Sequence, residues 1–318
     1  MKLFEFTKYF FDIFSEEANY LVFFISILKI GKTYNSYIQI HYARPDSSGK
    51  YTLEYSLKAK LKRVDSQLNQ IKFYEGTINF EEGSIRLYFA TPVFKIDLNY
   101  TNAHPESNPV NPLLIKSSKN ASLSWVPVQI KGMVNGSIST AENLLNYNNA
   151  RGYIDLVRTS ILPVNLHIQK LLWGRLHHEK VDLTYSLVIN ENNKHESMII
   201  IYFKGMNIEF TNVEYQILNE KINHNLNITY PDKIMLTAKN KSYSVKIEIF
   251  DHKELIFNEF MDPGDQYNKA FFWIMRKISK NPKGIKFLAE ANIFLEDSLS
   301  KSVFQNVSMI DEFVLFCK

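Results

Sequence analysis

A chain of 318 residues, 45% of them hydrophobic, can bury one large β domain or two ordinary ones. Its 37 Lys and Arg exceed its 33 Asp and Glu by four, and the basic residues are scattered through strand-like segments. This excludes a nucleic-acid reading and allows only a weak attraction to anionic surfaces such as a membrane. The lone cysteine, Cys317, excludes an internal disulfide and a Cys-rich zinc site and points to a reducing, cytoplasmic setting, while the slight basic excess leaves room for peripheral contact with a membrane.

The N-terminal stretch "MKLFEFTKYFFDIFSEEANYLVFFISILKIGK" is apolar but is interrupted by Asp12, Glu16 and Glu17. Its longest clean run, Tyr20 to Leu28, is about half of what a bilayer demands, so strands are expected there and not a signal peptide or a membrane span. "YTLEYSLKAKLK" then sets Tyr51, Leu53, Tyr55, Leu57, Ala59 and Leu61 on one face, with Thr52, Glu54, Ser56 and three lysines on the other. One face of such a strand is buried and the other wet. The same alternation recurs in "FKIDLNY" from Phe94, "VDLTYSLVI" from Val181, "LNITY" from Leu226 and "YSVKIEI" from Tyr243.

Many short strands separated by Gly, Asn, Asp and Pro turns argue for antiparallel sandwiches or barrels. With 18 Tyr and 23 Phe, their inward faces are ring-rich, which suits either a lumen for a bulky apolar ligand or a core filled by the rings themselves. Residues 102–122, with three Pro, read as a long connection over a barrel mouth. "DHKE", Asp251 to Glu254, reads as a polar turn. The clearest helix signal is "DQYNKAFFWIMRKISKNP": Ala270, Phe271, Ile274, Met275 and Ile278 form an apolar stripe, Asp265 can cap its start, and Pro282 follows its end.

The densest polar cluster lies at the midpoint, in "NARGYIDLVRTSILP" and "WGRLHHE", after an extended "IRLYFATPVFKIDLNYT", a Pro-rich connection and "SLSWVPVQIKGMVNGSI". This order resembles the hydroxyneurosporene synthase family, carotenoid-hydratase-like proteins of AttH type with two tandem lipocalin-like barrels. In that family a "G-x-G-Y-x-D-H-N-W-G" stretch lies where the first barrel passes into the second, and a "W-x-W-G-R" stretch follows. Gly152, Tyr153 and Asp155 match the first motif, and Trp173, Gly174 and Arg175 the second. "YFFDIF" resembles the family's N-terminal aromatic-aromatic-acid strand. After Asp155 the sequence departs: Leu156, Val157, Arg158 and Thr159 stand where the family has His, Asn, Trp and Gly, so the usual partner for moving a proton is absent from that place.

Taken from the residues alone, Asp155 has two readings. Buried among rings its pKa would rise, leaving an acid able to protonate an alkene or hold a polar head; paired with Arg151, Arg158 or Arg175 it would be structural. Arg175 could stack on Trp173 and plug a barrel end, or hold an anionic ligand head. His177 and His178 are consecutive, so on a strand they point to opposite faces and cannot share one ion; no metal and no cofactor are expected.

The expected architecture is therefore all-β, and the resemblance divides it into two tandem antiparallel lipocalin-like, calycin-type barrels, residues 1–165 and 166–318, with one or two short helices. The resemblance implies an enzyme that hydrates, cyclises or isomerises a bulky isoprenoid or polyene. Asp155 would be the catalytic acid, and Tyr153, Trp125, Trp173, Arg175 and His177 would line the substrate. A non-catalytic carrier of the same hydrophobic ligand is the alternative. The pattern assigns no edge strands and so no oligomeric state.

Overall fold

The computed structural model describes residues 4–15, 19–45, 51–67, 69–102, 110–118, 121–140, 144–161, 165, 167–259 and 281–317. The helix expected over residues 265–282 falls almost wholly outside them, and among the described residues none is α-helical. The chain is all-β and divides into two compact units, Met1–Ile161 and Leu162–Lys318, each built on one antiparallel sheet. Two tandem lipocalin-like barrels account for this arrangement.

The first unit runs β1 (Phe4–Phe14), β2 (Tyr20–Ile30), β3 (Thr33–Pro45), β4 (Tyr51–Leu61), β5 (Arg63–Gln67), β6 (Gln70–Phe73), β7 (Gly76–Glu81), β8 (Ser84–Ala90), β9 (Phe94–Asn102), β10 (Leu113–Ser118), β11 (Ala121–Thr140) and β12 (Leu144–Thr159). Its strands are ordered β4-β3-β2-β1-β12-β11-β9-β8-β7-β6-β5, with β10 laid beside β11. Part of the expected long connection is therefore a strand. Leu113 and Ile115 supply its apolar positions, and pairing with Trp125 and Leu123 satisfies its backbone.

Neighbours in sequence are mostly neighbours in the sheet, so most connections are hairpins. One exception sends β12 back to pair with β1, placing Asp155 opposite Phe10 and Tyr153 opposite Asp12. The core fills one side of the sheet. Phe11 stacks on Phe23 at 4.7 Å and tilts against Tyr100 at 5.6 Å, with Phe89, Leu98, Val134 and Ile154 around them. Burying each such ring contributes roughly 2–3 kcal/mol, so in this unit the inward rings are packing material.

The second unit runs β13 (Ile168–His177), β14 (Val181–Asn190), β15 (His195–Phe203), β16 (Met206–Thr211), β17 (Glu214–Asn223), β18 (Ile228–Lys239), β19 (Tyr243–Glu259), β20 (Asn281–Asp297) and β21 (Lys301–Cys317). Their order is β16-β15-β14-β13-β21-β20-β19-β18-β17, and every strand but β17 adds a buried residue to one apolar core. Side chains add to the ladder: Asn240, in the turn between β18 and β19, donates from Nδ2 to the Glu209 carbonyl of β16 at 3.0 Å, and the Val213 N–H donates to Ser197 Oγ of β15 at 3.0 Å.

Burial follows the alternation on many strands but not at the centre of either sheet. On β14 the polar row Asp182, Thr184 and Ser186 is as buried as the apolar row, although "VDLTYSLVI" reads as half wet. The central strands are therefore covered on both faces, and their polar side chains find partners inside the protein: Thr184 donates from Oγ1 to the Gly174 carbonyl at 3.1 Å.

Candidate functional site

The period of two decides where the motif residues point. On β12 the core row is Ala150, Ile154 and Leu156, so Tyr153 and Asp155 project from the opposite face of the sheet and not into the first unit's core. They are buried there nonetheless, at 0% and 3% exposure, beside Phe10 and Asp12 from β1 and Trp125 from β11. Trp125 donates from Nε1 to Asp155 Oδ2 at 2.9 Å, and the Tyr153 hydroxyl donates to the same oxygen at 3.0 Å. Phe10 meets the Tyr153 ring edge-on at 6.2 Å.

Neutral donors are thus the partners of Asp155, and the expected alternative of an arginine ion pair is not what the described residues form; Arg158 on the same strand is exposed. Burial pushes the Asp155 carboxyl up to about 6. The Trp125 and Tyr153 hydrogen bonds and the nearby Lys8 charge pull it down, and the Asp12 charge adds to the rise. Both donors fall on Oδ2, so the proton of the acid form resides on Oδ1.

Gly152 makes the arrangement sterically possible. A Cβ there would lie 2.3 Å from Val134 Cγ2 and 2.8 Å from the Tyr100 ring, which crosses the glycine to donate its hydroxyl to the Asp12 carbonyl at 3.3 Å. Gly174 plays the same part in the second unit, where a Cβ would meet the Tyr185 ring at 2.3 Å and Asp311 Oδ1 at 2.9 Å. Each motif glycine is therefore the floor under a tyrosine, from two strands away in the first unit and from the adjacent strand in the second.

Trp173, Arg175 and His177 share the row of β13 that faces away from the core residues Leu172 and Leu176, and all three are buried. Arg175 Nη2 lies 3.2 Å from Asp182 Oδ1, and Nη1 donates to the Leu183 carbonyl at 2.9 Å. His177 Nδ1 lies 2.9 Å from the same Asp182 oxygen. His178 lies on the other side of the strand, 5.4 Å edge-on to Phe304, as alternation requires. The residues singled out in the sequence thus form two groups, one in each unit.

Sequence reasoning missed Asp182 and a third cluster inside the second core. Asp311 accepts the Tyr185 hydroxyl on Oδ1, and its Oδ2 lies 2.7 Å from His252 Nε2. His252 Nδ1 lies 2.7 Å from the Asp232 carbonyl, and its ring meets Phe287 edge-on at 4.9 Å. The carbonyl and the carboxylate are both acceptors, so both ring nitrogens carry hydrogen and His252 is an imidazolium. Burial alone would lower its pKa, but the hydrogen bond and charge of Asp311, with Asp232 behind them, outweigh it and raise the value.

"DHKE" is thus no polar turn but the middle of β19. A bulge between Phe250 and Lys253, with Asp251 at φ 55°, shifts the alternation by one residue and turns His252 inward. Nothing in the sequence marks that bulge. Asp311 was legible, because it interrupts the inward row Val307, Met309, Phe313. Among the described residues no group of His, Cys, Asp and Glu is arranged to hold a metal ion.

No family model and no curated protein matches the sequence. Solved structures do match its fold. CghA, in its structure with Sch210972, aligns over 99% of this chain and 89% of its own at a TM-score of 0.65 and 10% identity. The chain has the fold of that protein. An AttH-like protein from Nitrosomonas europaea aligns over 99% and 93% at 0.59 and 11% identity, and kievitone hydratase from Nectria haematococca over 98% and 89% at 0.57 and 10%. The resemblance carried by "GYID" and "WGR" is therefore matched in architecture, while at one identical residue in ten the likeness speaks for the fold alone.

Proposed function

We propose that this chain binds a bulky, apolar, unsaturated small molecule of isoprenoid or polyene type on the buried face that carries Asp155, and that Asp155 is the acid of a cofactor-independent hydration, cyclisation or isomerisation. The observation that carries this reading is a buried carboxyl with two neutral donors on one oxygen and a pKa near 6, since such a group retains a proton close to neutral pH and can lose it. Transfer of the Oδ1 proton to an alkene carbon leaves a carbocation and a carboxylate. The carboxylate then takes a proton from the water that adds, or from the carbon next to the cation, so the acid is regenerated. The faces of Tyr153, Trp125 and Phe10 are suited to the cationic intermediate. The other residues expected at the substrate, Trp173, Arg175 and His177, form their own buried group in the second unit, where Asp182 and the Leu183 carbonyl hold Arg175. The shared fold with kievitone hydratase and CghA supports small-molecule chemistry on this scaffold.

A carrier without chemistry is the second reading. Leu156 to Thr159 favour it, because they place no second proton-transfer group beside the acid. The test is mass spectrometry of organic extracts from wild type and Asp155→Asn, both purified from an isoprenoid-producing host. Product with wild type and unconverted ligand with the variant support the enzyme. Intact ligand with both supports the carrier, and no apolar compound with either refutes both readings.

A further inference from the structure

The first unit carries a compact surface patch that the candidate site does not use. The β2–β3 turn, the junction of β4 with β5 and the β6–β7 turn meet there. Lys29 pairs with Tyr34 across the hairpin and sets its Nζ 5.6 Å from the Tyr34 ring centre, while the Arg63 guanidinium covers the same ring at 4.2 Å. The next residue back, Lys62, places Nζ 6.0 Å from the ring of Tyr74, whose N–H donates to the Lys62 carbonyl at 2.8 Å. Lys32, at the tip of the β2–β3 turn, is exposed.

Two carboxylates temper the patch. Glu5 stands across from Lys29, and Glu75 accepts the Lys62 N–H at 2.9 Å, which ties it to the backbone. The cations still outnumber them. Tyr74 is 81% exposed and Tyr34 41%, although burying each ring would be worth more than leaving it in water.

We propose that this patch docks the protein on an anionic membrane surface. Exposed tyrosines flanked by lysine and arginine match the two layers of a bilayer interface: the ring enters the headgroup region with its hydroxyl still hydrated, and the cations meet the lipid phosphates and carboxylates. The lysines at the end of the β-ladder could alone serve to keep β4 from pairing with another chain, but that role needs no exposed rings. A single-stranded nucleic acid is the less favoured partner, because the two rings belong to separate hairpins, Tyr34 on β3 and Tyr74 in the β6–β7 turn. The proposal rests on this surface and not on the chemistry proposed for Asp155.

Sedimentation with vesicles of phosphatidylcholine, alone or mixed with phosphatidylserine, tests it on the full chain. Wild type should bind only the mixed vesicles and release as salt rises to about 0.5 M. Replacing Lys29, Lys32, Lys62 and Arg63 together by Gln should weaken binding about fivefold per cation, a few hundredfold in all. The same net change placed on the exposed Lys204, Lys239, Lys241 and Lys301 of the second unit should leave it within about threefold of wild type. If the fourfold patch variant does not fold, Tyr74→Ser alone, which changes no charge, should still reduce binding. Absence of vesicle binding, equal loss in both fourfold variants, no loss in Tyr74→Ser, or retention of single-stranded DNA without vesicle binding would each overturn the assignment.

Discussion

Both units bury carboxylates at the centre of their sheets, and they neutralise them by opposite means. In the first, Asp155 is held by an indole N–H and a phenol, neither of which carries charge. In the second, Asp182 lies against Arg175 and His177, and Asp311 against an imidazolium and a phenol. A neutral donor lowers the cost of a buried negative charge only in part, so the proton remains competitive and the pKa rises; a cation replaces the proton outright. The first unit therefore keeps an exchangeable proton where the second keeps fixed charge pairs, although in both a motif glycine lies beneath a tyrosine ring.

The contrast is broken most severely by Arg175→Met, which takes the arginine's charge away from the buried Asp182; urea titration should show a loss of about 3–5 kcal/mol. Asp155→Asn should act with the opposite sign. Because the folded pKa is raised, the contribution of Asp155 is fully present below the unfolded value near 3.8 and is lost as pH rises through about 6. The variant should match wild type at low pH and exceed its stability by up to about 3 kcal/mol at pH above 7, as a pH series of denaturation midpoints would show. If it is less stable at both ends, Asp155 is part of a charge pair after all.

His252→Gln should cost about 2 kcal/mol below the ordinary histidine value of 6.5. The raised folded pKa means that this contribution fades as pH rises through it, so the gap between variant and wild type should close in alkaline solution. Melting curves at acid and alkaline pH check the sign. The smallest change belongs to Trp125→Phe: losing the indole donor should move the Asp155 pKa higher by about one unit, equivalent to about 1.4 kcal/mol, which carboxyl carbon NMR would resolve.

Much of this was legible in the order of residues. Alternation in "FKIDLNY", "VDLTYSLVI" and "YSVKIEI" marks β9, β14 and β19, and the matches at Gly152, Tyr153, Asp155, Trp173, Gly174 and Arg175 lead to the architecture shared with CghA and kievitone hydratase. The partners were harder to read. Trp125 lies thirty residues from Asp155, and only the pairing of β11 with β12 brings the indole to the carboxyl. Asp182 reads as solvated because a polar residue on an alternating strand ordinarily is, and burial of both faces of β14 reversed that. His252 was hidden by the bulge that turns it inward.

By itself, then, the sequence determined that the protein is built of antiparallel strands and which side chains share a row, because alternation acts over neighbouring residues. Which row is wet, which donor meets which acid and whether a carboxyl keeps its proton were decided only by the tertiary structure. Dielectric and charge at a buried atom depend on groups that meet from strands far apart in the chain.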